Sequence, residues 1–202
     1  MRIIGGTSRG RRLLTPWRQS IRPTSDRVKE SIFNILGENV EGKVVLDLFA
    51  GTGSLGIEAL SRGAKRAIFI EKGRQASRLI QKNLLQCGMK ERSEILPKDA
   101  LRAIGILGQR KESFDLILMD PPYQEGLIQK TLTKLGSERI YHEDSILIVE
   151  HDRREILPDL MGRWDLIRQR KIGDTIISFL KPRLSDDGQE STDGEGTTCL
   201  AG

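Results

Sequence analysis

Apolar and polar positions along this chain follow two periods. Between residues 42 and 182, short runs rich in β-branched and aliphatic residues predict strands near 43–49, 65–71, 92–97, 114–119, 145–150, 164–171 and 174–181. Such near-continuous apolar runs suit strands buried on both faces of a parallel sheet. The stretches between them are longer and carry helical spacing. Residues 54–62 and 74–87 fit helices, each closed by a glycine, Gly63 and Gly88, in the left-handed conformation that ends many helices. No helical stretch separates the last two strands, and Gly173-Asp174 lies between them, so they should form an antiparallel hairpin. The pattern predicts an α/β fold: a seven-stranded, mostly parallel sheet that ends in an antiparallel hairpin.

Ahead of this body, Thr24 or Ser25 can cap a helix running to Leu36, with Val28, Ile32, Ile35 and Leu36 as its apolar stripe and Gly37 as its stop. The first 24 residues are basic and rich in glycine. Residues 2–5 and 11–15 are placed to pair as a short β-hairpin across the 5–10 turn. From Leu184 onward the chain has too little apolar surface to offset ordering entropy, which predicts a disordered acidic tail. Three zones result: a basic extension at 1–24, a domain at 25–183 and the tail at 184–202.

Charge sharpens this picture. The formal net charge is +5, but the final 19 residues hold five acids and no base, so the remainder carries +10. Eight bases fall in the first 30 residues against two acids. A basic surface suits a polyanionic partner, and Arg9, Arg11 and Arg12 are candidate phosphate ligands; plain solvated charge is the alternative. Neither cysteine, Cys87 nor Cys199, has the partners of a disulfide framework or a zinc module, so no metal is expected. The apolar runs are far shorter than the ~20 residues needed to span a bilayer, and the N-terminus lacks an export pattern. A cytoplasmic protein with no membrane association is the expectation. His142 and His151 read as surface residues, and Trp17 and Trp164 as packing groups.

Two loops carry the candidate chemistry. In the first, a buried strand runs through Asp47 and Phe49 into Gly51, Gly53 and Gly56 and then a helix. Glycines there let backbone approach a ligand at the carboxyl end of the first strand, where open α/β sheets bind their ligands. The spacing also fits a dinucleotide loop, or a turn made only for packing. An anion at Asp47 would repel a pyrophosphate and favour the ammonium and sulfonium of S-adenosyl-L-methionine. Glu71, 20 residues after Gly51, is placed to accept from both ribose hydroxyls of a nucleotide. Asp99 is placed to accept from an adenine amino group beside the Ala100 amide; a plain helix N-cap is the alternative. The second loop is Asp120-Pro121-Pro122-Tyr123, at the end of a strand. Consecutive prolines fix a rigid extended turn. The Asp120 carboxylate and the Pro121 carbonyl can hold an exocyclic amine in line with a methyl donor, and Tyr123 offers a ring for an extruded base to stack on.

With these residues in place, the chain resembles the bacterial small-subunit (16S) ribosomal RNA guanine-N2 methyltransferases. The resemblance covers Met1-Arg2-Ile3-Ile4-Gly5-Gly6, Arg22-Pro23-Thr24, the segment from Arg27 to Leu36, both loops, and Lys171-Ile172-Gly173-Asp174-Thr175. It implies a Rossmann-like class I methyltransferase domain behind an N-terminal hairpin, using S-adenosyl-L-methionine on a guanine of 16S ribosomal RNA, free or within a partly assembled small subunit. It also implies that Asp47, Gly51, Glu71 and Asp99 hold the cofactor and that residues 120–123 meet the base. The chain departs from the family at Lys29, where arginine is usual, which weakens a bidentate phosphate role. It departs again at Lys72-Gly73, where Gly73 should loosen the adenine-side wall. An adenine-N6 methyltransferase shares both loops but normally needs a target-reading insertion. A glutamine methyltransferase would favour asparagine at 120. A NAD-binding module and a non-catalytic RNA-binding assembly factor complete the alternatives.

Overall fold

The computed structural model describes residues 1–15, 25–122, 126–155, 157 and 162–183. Tyr123, expected to stack on a base, Trp17, expected to be a packing group, and the residues from 184 onward lie outside the described residues. In chain order the elements are α1 (Asp26–Leu36), β1 (Val44–Leu48), α2 (Ser54–Ser61), β2 (Arg66–Ile70), α3 (Arg74–Gln86), β3 (Ser93–Leu96), α4 (Ala100–Gln109), β4 (Phe114–Met119), α5 (Leu127–Glu138), β5 (Tyr141–Asp152), β6 (Trp164–Ile172) and β7 (Thr175–Pro182). They form a seven-stranded sheet in the order β3-β2-β1-β4-β5-β7-β6. The first five of these pair in parallel, and β7 runs antiparallel to both β5 and β6.

Local signals explain the boundaries. Ser25 caps α1 by accepting from the Val28 amide at 3.2 Å, and Gly37 ends the helix at φ 57. Gly63 and Gly88 follow α2 and α3 at φ 97 and 68, as their residue type predicts. Gly173 turns the β6–β7 hairpin at φ 62. Strand β5 begins earlier than expected. Its register against β4 jumps from Phe114↔Tyr141 to Leu116↔Ile146, so polar residues 142–145 form an irregularity that a period-two reading passes over.

The sheet is covered on both faces. On one side α1, α2 and α3 close a core that includes Phe33, Ile57, Ile80, Leu118 and Ile148. On the other, α4 and α5 close a second around Ile104, Leu107, Leu132, Leu135 and Trp164. The N-terminal hairpin is thinner than a pair of strands: one antiparallel bridge joins Arg2 and Arg12. It nonetheless inserts Ile3 and Leu13 into the first core. Among the described residues no helix is long and apolar enough to cross a membrane.

Candidate active site at the carboxyl edge of the sheet

Register brings the two loops together. Leu48 pairs with Ile70 on one side and Met119 on the other, so the chain leaves neighbouring strands at Glu71, Phe49 and Asp120, each roughly 4.8 Å from the next in the hydrogen-bonding direction. The strand order reverses between β1 and β4, and open α/β sheets bind ligands at such a switch point. The β1 loop is tightly wound. Phe49, Gly51 and Gly53 all have positive φ, at 60, 56 and 77. For Phe49 that conformation costs about 1–3 kcal/mol, a strain typical of functional loops. The loop is pinned by Ala50 N–H donating to Ile70 O at 2.9 Å and Gly53 N–H to Ala50 O at 2.7 Å. At Gly56 a Cβ would stand 2.4 Å from Phe69 Cε1 and 3.0 Å from Asp47 Oδ2, so only glycine lets α2 pass this close to the sheet.

Four of the sequence-predicted residues are acids gathered here. Asp47 is 2% exposed, and its Oδ2 accepts from the Gly56 amide at 2.9 Å. Burial pushes its carboxyl up to about 7; the Gly56 hydrogen bond opposes that, and the charges of Asp120 and Glu71 add to it. Glu71 accepts from Gly51 N–H at 2.9 Å and from Gly73 N–H at 2.6 Å, one on each oxygen. An ionised carboxylate has about four acceptor sites, which leaves room for two ribose hydroxyls. Gly73 therefore tightens this wall instead of loosening it, because its amide holds Glu71 and a Cβ there would come within 2.9 Å of Glu71 Oε1. Asp99 caps α4, accepting from Leu101 N–H at 3.0 Å and Arg102 N–H at 3.5 Å, and Ala100 opens the helix. The N-cap alternative is thus realised, with Asp99 still exposed at the loop after β3.

In the second loop Asp120 is half-buried, Pro121 buried and Pro122 exposed. The two prolines end β4 and turn the chain at the sheet edge.

Sequence reasoning missed three buried polar residues around these loops. Glu58 accepts from Ile4 N–H and Gly5 N–H, each at 2.8 Å, and from Arg62 Nε at 2.8 Å, with Lys29 Nζ 3.8 Å away. It docks the N-terminal hairpin on α2. Asn83 donates to Leu14 O at 3.2 Å and Thr52 O at 3.1 Å and accepts from Leu14 N–H at 2.8 Å, which joins the same segment to the glycine loop. Glu150, 5% exposed, follows Val149 in β5, two positions before the strand ends at Asp152. Such roles carry no periodic signal, because the backbone groups of residues 4, 5 and 14 that Glu58 and Asn83 meet lie more than 50 residues away in sequence.

The basic arm divides. Arg9, Arg11 and Arg12 have exposed side chains, although Arg11 also donates to the Gln86 carbonyl. Lys29 is different: it is fully buried between Asp26, at 3.6 Å, and Glu58. Burial lowers its ammonium below the usual lysine value, against the pull of the two acids. It serves the hairpin dock and is out of reach of a phosphate. His151 is likewise 1% exposed, with Nε2 at 2.9 Å from Ser178 Oγ, so the surface expectation fails there. His142 is exposed and Trp164 is buried, as expected.

Comparison with known proteins gives the same picture. The family model described as Conserved hypothetical protein 95 matches residues 1–181. A Bacillus subtilis (strain 168) relative, named as a candidate rRNA methyltransferase, is 38% identical over 91% of this chain and 100% of its own. The Escherichia coli (strain K12) protein named Ribosomal RNA small subunit methyltransferase D is 35% identical over 86% of this chain and 85% of its own. A solved Escherichia coli structure, titled as a candidate methyltransferase, superposes with a TM-score of 0.79 at 33% identity, covering 91% of this chain and 98% of that one.

Proposed function

The chain belongs to the family described as Conserved hypothetical protein 95, the small-subunit ribosomal RNA methyltransferase family that its motifs resemble, and on that premise we propose that it methylates the exocyclic N2 amine of a guanine in 16S ribosomal RNA. The observation that carries the reading is the alignment of three strand ends, which sets the glycine loop, Glu71 and the Asp120 turn side by side at the switch point. The relatives named for rRNA methylation support it.

The residues fit S-adenosyl-L-methionine. Gly56 lets α2 pack against Phe69 and bring its amide to Asp47, and Gly51 and Gly53 keep the loop thin. The charges of Asp120 and Glu71 work against ionisation of Asp47, so a cationic ligand is favoured here and a pyrophosphate, as in NAD, is not. On this reading Asp47, Phe49, Gly51 and Gly53 cradle the methionine portion. Glu71 takes the ribose hydroxyls, and Asp99 with Ala100 takes the adenine edge.

Bound S-adenosyl-L-methionine supplies an electrophilic methyl and leaves as the neutral thioether. Asp120 and the Pro121 carbonyl accept from the N2 amine, turn its lone pair out of conjugation with the ring and hold it in line; orientation of this kind contributes up to roughly 7 kcal/mol or more to a barrier. The proton that the alkylated amine gives up leaves through Asp120 or water. Pro122 stiffens the turn and Tyr123 stacks on the base. Residues 1–24 form an RNA-binding extension in which Arg9, Arg11 and Arg12 meet phosphates, residues 25–183 the methyltransferase domain, and residues 184–202 an acidic tail. The reaction takes place in the cytoplasm, on free 16S ribosomal RNA or on a partly assembled small subunit.

The test is transfer of labelled methyl from S-adenosyl-L-methionine to small ribosomal subunits from cells lacking this protein, followed by nucleoside mass spectrometry. N2-methylguanosine is the expected product. N6-methyladenosine alone, or tight binding of NAD with no affinity for S-adenosylhomocysteine in calorimetry, would overturn the proposal.

A further inference from the structure

Strand β6 is an edge of the sheet and runs parallel to β5, because β7 is antiparallel to both. Its level is set by a row of paired residues: Met119 on β4, Val149 on β5, Ser178 on β7 and Gln169 on β6. Gln169 therefore stands level with the end of β4, three strand spacings or roughly 14 Å away. From there β6 continues to Ile172, which shares the partner Thr175 with Asp152 at the end of β5. The far half of β6 thus lies at the same carboxyl edge of the sheet as the candidate active site.

Residues 166–171 are all exposed. Arg168, Arg170 and Lys171 are cations, and no acid occurs among the six. Arg168 lies opposite Phe179 and Arg170 opposite Ile177, both in the core under α1, α2 and α3, so these two project to that side. Lys171, one position on, projects to the other, and positive charge wraps the edge. The acids that flank the run are matched elsewhere: Asp165 accepts from Arg183 at 2.6 Å, and Asp174 lies 3.1 Å from Arg153 Nε. Among the described residues Arg168, Arg170 and Lys171 form no ion pair with an acid.

Charge on an edge strand discourages pairing with a neighbouring chain. Either sign serves that purpose, whereas an exposed run of one sign, whose flanking acids go to other arginines, is complementary to a polyanion. A second copy of this chain is a poor occupant, because pairing β6 with itself would set cations against cations. A nucleic-acid backbone brings a negative charge with every nucleotide, and at roughly 3.4 Å of rise per nucleotide about four nucleotides span the ~14 Å from β4 to β6.

We propose that the outer edge of β6, through Arg168, Arg170 and Lys171, is an RNA-backbone contact that holds the strand flanking the target guanine. This rests on the proposed function and adds to it a surface separate from the N-terminal arm that carries Arg9, Arg11 and Arg12. The three side chains bind phosphates and touch no reacting atom.

The experiment measures binding of the full-length protein to deproteinised 16S ribosomal RNA and to small subunits from cells lacking this protein, across a range of salt concentrations. One variant combines Arg168→Gln, Arg170→Gln and Lys171→Gln; a second keeps the charge with Arg168→Lys, Arg170→Lys and Lys171→Arg. At about 0.7 per lost phosphate contact, the neutral variant should flatten the slope of log affinity against log salt by about 2, a loss of roughly 100-fold near 0.1 M salt that fades towards 1 M. Its KM for small subunits should rise while kcat and S-adenosylhomocysteine affinity are kept, and the charge-keeping variant should retain the wild-type slope. Wild-type affinity and slope in the neutral variant would overturn the inference. A loss on small subunits with none on deproteinised RNA would overturn it by assigning the edge to a ribosomal protein. Dissociation of a wild-type dimer by the neutral variant in sedimentation would overturn it in favour of a second copy, and a parallel loss of S-adenosylhomocysteine affinity in favour of a role in the scaffold. A wild-type protein that forms no N2-methylguanosine would overturn the proposed function, while the salt slopes still decide whether this edge meets RNA.

Discussion

Replacing Asp47 with asparagine should stabilise the ligand-free protein above neutral pH. In the folded chain burial raises the Asp47 carboxyl from 3.8 to about 7. A group whose folded value lies above its unfolded one favours folding while it is protonated, so its contribution is fully present below about pH 4 and lost as pH rises through about 7. At about 1.4 kcal/mol per pH unit, the wild-type protein forfeits on the order of 4 kcal/mol between these limits. Asparagine keeps a side-chain oxygen for the Gly56 amide, which Asp47 now serves at 2.9 Å, and does not ionise. The variant should therefore melt roughly 10 °C higher than wild type at about pH 8 and at a similar temperature near pH 4. A bound cation reverses the comparison: S-adenosyl-L-methionine should bind the wild type more tightly than the variant above neutral pH. Thermal melts of both proteins from about pH 4 to about pH 8 give the answer. Parallel curves with the same slope would refute the reasoning, because the pH dependence would then come from other groups.

Asp120→Ala should abolish methyl transfer while S-adenosylhomocysteine affinity is retained; turnover on small subunits by this variant would remove Asp120 from the mechanism. Gly56→Ala forces a methyl toward Phe69 Cε1, 2.4 Å from the ideal Cβ position. It should cost about 1–3 kcal/mol in denaturant unfolding and weaken cofactor binding by displacing the loop, and a neutral result would show that α2 can shift. Glu58→Ala removes the buried acid 3.8 Å from the Lys29 ammonium and frees two hairpin amides. A loss of about 3–5 kcal/mol is expected, with residues 1–15 becoming open to limited proteolysis; unchanged stability would contradict the docking role. Neutralising Arg9, Arg11 and Arg12 together should weaken RNA binding and flatten its dependence on salt; identical slopes would assign these arginines to plain solvated charge.

Much of the fold could be read from the chain because its strands are apolar on both faces and its helices end on glycines that must adopt positive φ. Ser25, Gly37, Gly63, Gly88 and Gly173 each act within a few residues, so their signals survive in the sequence. The start of β5 did not, since its first residues are polar and enter through an irregular register. Among site residues, position along a strand was enough to bring Phe49, Glu71 and Asp120 to one edge. What the chain could not convey is whom a polar side chain meets. At Lys29 the sequence signals only a weakened phosphate role, whereas the side chain is sealed beside Glu58; His151 reads as exposed and lies against Ser178; Glu58 and Asn83 give no signal, because the hairpin groups they meet arrive from distant segments. Burying a polar group requires such a partner, but only the tertiary structure says which.

The most direct measurement is a crystal structure of the protein with S-adenosylhomocysteine. The ligand should lie over Gly51 and Gly53, with its ribose on Glu71 and its sulfur facing the turn formed by Asp120 and Pro121. Density for the ligand on another face, or a sulfur directed away from Asp120, would contradict the account.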